Sequence, residues 1–315
     1  MVIALLCALT VASVLVGSRP VTPAEFSELL AGHGTDELKT LVWEVRVPRT
    51  LAGLLVGVAL AWSGALMQGM TRNPLADPGL LGVSSGAAFA VVIGVGWFGL
   101  RSATAIAFLS VTGAAVLTTI VLAVGLRGRA NGATLILAGV AFSMTTSGIQ
   151  SAVTLLNPRA LDAMRAWSAG SLASPDINVL THIVPVFLTG GTLAFLLTRQ
   201  LNALALGDDL ARALGLHPLR TRVGTGIAIA CMVGAATAIA GPIGFIGLMV
   251  PHIVRPFTGP GMGRVLLAGT ATGAALVLAA DVIARIALWP GELPVGVVAA
   301  AFGAPVLLVL IRKTR

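Results

Sequence analysis

Apolar residues fill this chain in long blocks separated by short polar stretches, and crossing the hydrocarbon core of a bilayer takes about 20 apolar residues in a helix. The pattern predicts ten spans: Val2–Val16, Leu51–Met70, Leu80–Val95, Ala103–Val124, Thr134–Leu156, Val179–Leu197, Gly224–Ala240, Leu248–Phe257, Val265–Leu288 and Leu293–Ile311. Val2–Val16 has the length of a signal-peptide core but lacks the positive flank that goes with one, so it reads as the first span. The spans use up nearly all of residues 1–315, which leaves a single transmembrane domain with no soluble partner domain. The expected fold class is an all-α integral membrane protein.

The interruptions differ in kind. Arg19–Arg46 mixes prolines with acidic residues and suits a loop that contains an amphipathic helix. Thr71–Gly79, TRNPLADPG, breaks the chain with two prolines and paired turn formers. Arg127 and Arg129 mark a short basic loop, Asn157–Asp176 a loop with Trp167 as an interfacial anchor, and Gly241–Gly247 a glycine break. Leu201–Val223 is the one long polar stretch of the second half. Within it Gly207 precedes Asp208 and Asp209, carboxylates placed to cap a short helix, and Gly215 ends that helix. Leu206, Leu210, Ala213 and Leu214 form its apolar face, Asp209 and Arg212 its polar edge, and Pro218 opens another helical turn. Such a helix suits three roles: a lipid-surface helix, a staple between spans, or a docking surface for a soluble partner.

Composition agrees with a membrane protein: 57% hydrophobic and 10% charged, against the roughly 25% charged residues of an average soluble domain. The net charge of +8 is scattered through short loops, where positive-inside bias explains it and nucleic acid does not. Ten spans place both termini on one side. With that side cytoplasmic, Arg72, Arg127, Arg129, Arg199, Arg212, Arg220, Arg222, Arg255, Arg264 and the basic tail lie inside, while Glu25, Glu28, Asp36, Glu37, Glu44, Asp162 and Glu292 lie outside. Leu201–Val223 is then cytoplasmic.

Inside the spans, Gly53 and Gly57 make a GxxxG step that lets helices approach closely. Ser143, Thr145, Thr146 and Ser147 crowd one span, either bonding back to their own helix or lining a polar pathway. Asp281 and Arg285, four apart, can pair and so lower the cost of burying either charge. Cys7 and Cys231 are far apart, the four histidines are isolated, and no cluster has metal-ligand spacing.

Four segments carry a resemblance. Arg46–Ala88 (RVPRTLAGLLVGVALAWSGALMQGMTRNPLADPGLLGVSSGAA), ALGDDLARALGL, GPIGFIGLMVPHIVR and ADVIARIALWPGELPVGVVAAAFGAPVLLVL are similar, in consistent order, to the iron-siderophore and cobalamin permeases of type II ABC importers. The likeness runs from about Arg46 to the C-terminus; the first forty or so residues depart from it, with a shorter N-terminal extension than many members have. It implies the type II importer permease fold in a bacterial inner membrane, a second permease subunit, identical or related, two cytoplasmic ATPases and an external substrate-binding protein. The helix from Gly207 to Gly215 would be the coupling helix seated in the ATPase. Arg46, Arg49 and Arg285 would receive the binding protein, although snorkelling for the first two and the Asp281 pair for the third explain them without a partner. The cytoplasmic gate would fall on Asn73 and Leu75, and on Gly132 and Ala133, whose small side chains depart from the hydroxyl-bearing ones of the cobalamin permease.

The chain carries no GxxxxGK[ST] phosphate loop, so it is expected to be non-catalytic and to bind no cofactor, with ATP and magnesium used by the partner. The reading is an importer permease for a ferric siderophore; haem or cobalamin is the alternative cargo. An ion-coupled transporter or channel would need an unpaired intramembrane acid, for which Asp281 is the candidate.

Overall fold

The computed structural model describes residues 1–17, 19–126, 132–173, 175–288 and 291–313, so the basic loop at Arg127 and Arg129 lies outside the described residues. These residues form helices throughout: α1 (Val2–Leu15), α2 (Pro23–Leu30), α3 (Asp36–Lys39), α4 (Val47–Thr71), α5 (Val83–Phe98), α6 (Ala103–Gly125), α7 (Gly132–Leu156), α8 (Pro158–Ser168), α9 (Ile177–Leu196), α10 (Thr198–Leu204), α11 (Asp208–Ala213), α12 (Pro218–Ala240), α13 (Ile246–Thr258), α14 (Met262–Ile286) and α15 (Val295–Lys313).

Six helical stretches among the described residues are long and apolar enough to cross a membrane: Asp36–Thr71, α6, α7, α9, α12 and α14. Three shorter apolar helices, α1, α5 and the front of α15, accompany them. The sequence pattern counted Leu248–Phe257 as a full span, and here the structure differs. Helix α13 has 13 residues, or about 20 Å at 1.5 Å per residue, too short for a core of about 30 Å. It starts beside Leu60 and Gly64 in α4, after Gly241–Phe245 has run as non-helical chain. Irregular backbone is tolerated at such depth only where protein surrounds it. Ser171 N–H reaches the Ala240 carbonyl and Gly296 N–H the Gly170 carbonyl, tying this break to its neighbours.

The second span also begins earlier than Leu51. A π-helical segment, Thr40–Arg46, joins α3 to α4 without a loop. Pro48 has no N–H to give, and beside it the chain widens so that Val47 N–H bonds Val42, five residues back. Ahead of it, Thr22 and Glu25 form a reciprocal capping box on α2, and Val21, Leu29, Leu38 and Val42 bury a small core of their own. Asn157–Asp176 contains the capped helix α8. Trp167 there packs half-buried against the main core.

Helix α4 is the axis, packed on α14, α12 and α13; α12 also packs on α6 and α9, while α5 and α6 pair. Glycines set the closest crossings. A Cβ on Gly57 would collide with the Gly273 carbonyl of α14, and one on Gly64 with the Gly247 carbonyl of α13. Without a hydrophobic force between helices in lipid, such close packing holds the bundle together. Gly57→Ala and Gly64→Ala should each destabilise the chain by at least the roughly 1–3 kcal/mol of an overpacked core. Gly148→Ala, with open space around it, should leave thermal unfolding in detergent unchanged.

Candidate functional site

Two polar clusters stand at opposite ends of α4. The first surrounds Arg49, at the start of the helix. Its Nε and Nη2 donate to Asp281 of α14 at 3.1 and 2.9 Å, and its Nη1 to Glu292 at 2.7 Å. Arg285 donates to the same Asp281 carboxylate through Nε at 3.0 Å and through Nη2, and its Nη1 reaches the Ser13 carbonyl of α1 at 2.6 Å. Ser13 Oγ in turn meets Thr50 Oγ1 at 2.8 Å. Arg46 caps α1, donating to the Val14 and Leu15 carbonyls at 2.6 and 2.8 Å and to that of Arg19.

The i, i+4 pair of Asp281 and Arg285 expected from the sequence is present, and Arg49, 232 residues away from Asp281, completes it. All three arginines are at most 5% exposed and Asp281 is fully buried. The structure thus buries Arg46, Arg49 and Arg285 among α1, α4 and α14. Two guanidinium groups flank one carboxylate, and removing it leaves Arg285 without its counter-charge and Arg49 with Glu292 alone. Asp281→Ala should therefore cost about 3–5 kcal/mol, read as a drop in thermal unfolding in detergent.

The second cluster holds Leu201–Val223. Helix α11 is bounded by two glycines at positive φ, Gly207 at 114° and Gly215 at 77°. Gly215 N–H bonds the Arg212 carbonyl at 2.9 Å and Leu216 N–H the Ala211 carbonyl at 3.0 Å, the Schellman closure that a left-handed glycine permits. Ala211 is buried, as are Leu201 and Leu204 of α10, and anchor the underside. Leu206, Leu210 and Leu214 point away and are 65%, 47% and 60% exposed, with Ala213 exposed beside them. A depression of about 400 Å³ opens next to them between Arg212, Gly215, Leu216, His217, Pro218 and Leu219.

Asp208 and Asp209 do not cap this helix, because Gly207 occupies the cap position and no side chain accepts its first N–H groups. Asp209 pairs with Arg212 at 2.8 Å in the open. Asp208 instead turns back and receives both Nη atoms of Arg222, on α12, at 2.8 Å each, and Nη2 of Arg72, at the end of α4, at 3.2 Å. Sequence spacing gave no sign of this clamp, since Arg72 and Asp208 are 136 residues apart. The paired bonds from Arg222 foremost, then the charges of Arg222 and Arg72, hold the Asp208 carboxyl below the usual carboxylate range. A lowered folded-state pKa adds stability that is present above the ordinary value near 4 and lost as pH falls through the folded value. Protease resistance of the α10–α12 segment should hold from about pH 8 to 5, fall below about pH 4, and lose that dependence in Asp208→Asn.

The gate candidates come together close by. Asn73 Oδ1 accepts from Leu75 N–H at 2.9 Å, and Leu75 is 44% exposed. Gly132, at the start of α7 with Ala133 exposed behind it, lies against the Thr71 backbone. Along α7, Thr146 is buried and bonds back to Phe142 and Ser143, each at 3.0 Å. Ser143 is half-buried, whereas Thr145 and Ser147 are exposed. Of the six long stretches, α7 is the least buried. No three His, Cys, Asp or Glu residues gather to hold a metal among the described residues.

Comparison with known proteins gives the family and the fold. The profile of the FecCD transport family matches residues 5–313. The chain belongs to the FecCD transport family. It is 45% identical to the ferric enterobactin transport system permease protein FepD of Escherichia coli K12, over 99% of this chain and 94% of that one. It is 41% identical to the vitamin B12 import system permease protein BtuC of Citrobacter koseri, over 87% and 83% of the two chains. A solved metal-chelate type ABC transporter in an inward-facing conformation superposes with a TM-score of 0.86, at 28% identity, covering 99% of this chain and 97% of that one. The chain is thus a multi-pass membrane protein with the fold of a FecCD permease.

Proposed function

We propose that this chain is the non-catalytic permease subunit of an ATP-driven importer, carrying a ferric siderophore across a bacterial inner membrane with both termini in the cytoplasm. The observation that carries it is α11. A short helix, closed by glycines and clamped from beneath by Asp208, presents Leu206, Leu210 and Leu214 outward at a polar end of the bundle. Lipid is not needed to explain that face, because the adjoining surface carries Asp209, Arg212 and Arg220. A cytoplasmic ATPase that hydrolyses ATP with magnesium suits it, and two such ATPases would serve two permease subunits, identical or related.

The same reading makes the Arg49 end external. There the buried arginines brace α1, α4 and α14 from within, so they support the rim on which a binding protein would sit without touching it. Thr145 and Ser147 on the exposed face of α7 are the side chains best placed to border a pathway shared with a second permease. Asn73, Leu75, Gly132 and Ala133 converge where that pathway would close on the cytoplasmic side. Iron would cross wrapped in its chelator.

A tagged chain purified from its native membrane should bring an ATPase with it, stimulated by siderophore-loaded binding protein. Leu210→Asp should lose that ATPase while keeping the thermal stability of the permease, because Leu210 makes its contact outside the chain. Full copurification by Leu210→Asp would exclude α11 as the docking element. In cells lacking this permease, restored uptake of ferric enterobactin supports the siderophore; restored uptake of cobalamin alone would reassign the cargo.

A further inference from the structure

The clamp on Asp208 has two unequal arms. Arg222 is nearly buried, meets the carboxylate with two bonds of 2.8 Å, and lies 14 residues away on α12, so it ties α11 to its own neighbour. Arg72 is 41% exposed, makes one bond of 3.2 Å and comes from another part of the bundle. It caps the C-terminal end of α4 just before the gate segment, in a left-handed conformation with φ 54° and ψ 31° that few non-glycine residues adopt. Asn73 follows at once, locking the turn through Leu75.

Resting on the reading of α11 as the ATPase-docking helix, we infer that Arg72–Asp208 is a breakable joint between that helix and the gate, with Arg222 as its fixed anchor. The charge arithmetic favours this division. When Arg72 leaves, Asp208 remains paired with Arg222 and no buried charge is stranded, whereas loss of Arg222 leaves a nearly buried guanidinium site empty beneath α11. The Arg72 contact is exposed and single, the kind that exchanges with water at little cost. A displacement of α11 therefore pulls on the end of α4 while the joint is closed and leaves it alone while it is open. Arg72 is a positioning residue, acting through the Asn73–Leu75 turn.

The test uses the complete importer, with its ATPase and binding protein, in proteoliposomes, reading ferric enterobactin taken up per ATP hydrolysed. Arg72→Gly keeps the left-handed backbone, which glycine adopts freely, and removes only the side-chain joint. Its transport ratio should fall about tenfold with ATPase copurification and thermal stability intact. Arg72→Lys should restore the ratio to within about twofold, since one charged donor suffices. Arg222→Lys, losing a two-bond contact, should lower thermal stability instead. An unchanged ratio in Arg72→Gly, failure of Arg72→Lys to rescue, or equal loss of stability in Arg72→Gly and Arg222→Lys would each overturn the joint. A wild-type chain that copurifies with no ATPase would overturn the docking-helix reading beneath it.

Discussion

A guanidinium group inside an apolar bundle must find its partners there, because leaving water costs several kcal/mol per ion and lipid returns nothing. Asp281 answers this for two arginines at once, and the answer fixes the geometry of three helices. Arg49 brings α4 to α14, and Arg285 brings α14 to the end of α1. Arg46 closes the carbonyls that α1 leaves open. Once those ends are pinned, the glycine crossings beneath them have their register, and α4 can serve as the axis on which α12, α13 and α14 pack.

The two ends of α4 contrast in a way that suits their proposed tasks. At the Arg49 end the charges are buried and multiply bonded, and suit a rim that keeps its shape. At the Arg72 end the ion pairs run from nearly buried to half exposed, and the backbone alternates helix with left-handed turns at Arg72, Gly207 and Gly215. Short segments joined by such turns can move as small rigid bodies. The apolar face of α11 is left uncovered among the described residues, which is the arrangement expected of a lever gripped from outside.

The ionic and packing features also bear on the alternative of ion coupling. A coupling acid would have to exchange its proton or cation during transport, and Asp281 is fully buried between two arginines. Its carboxylate is taken up in bracing α4 against α14. On the proposed reading the work of moving cargo enters at α11, whose apolar face is exposed.

Periodicity alone was enough to reveal a multi-span helical protein, the polar interruption at Leu201–Val223 and the short helix between two glycines, because each depends on neighbours within a turn or two. The Asp281–Arg285 pair was legible for the same reason. Spacing misled where length and backbone chemistry intervened: Leu248–Phe257 has a span's composition but only half its length, and Pro48 extends the second span back through a π segment to Asp36. Asp208 has the look of a helix cap, and only the fold shows its carboxylate drawn away by stronger, charge-assisted bonds from Arg222 and Arg72. Sequence by itself determined which segments are apolar and helical and where glycine and proline interrupt them, since both follow from local hydrophobicity and backbone preference. Tertiary structure alone decided which charges meet, because Arg49 and Asp281, or Arg72 and Asp208, become neighbours only when helices distant in sequence pack side by side.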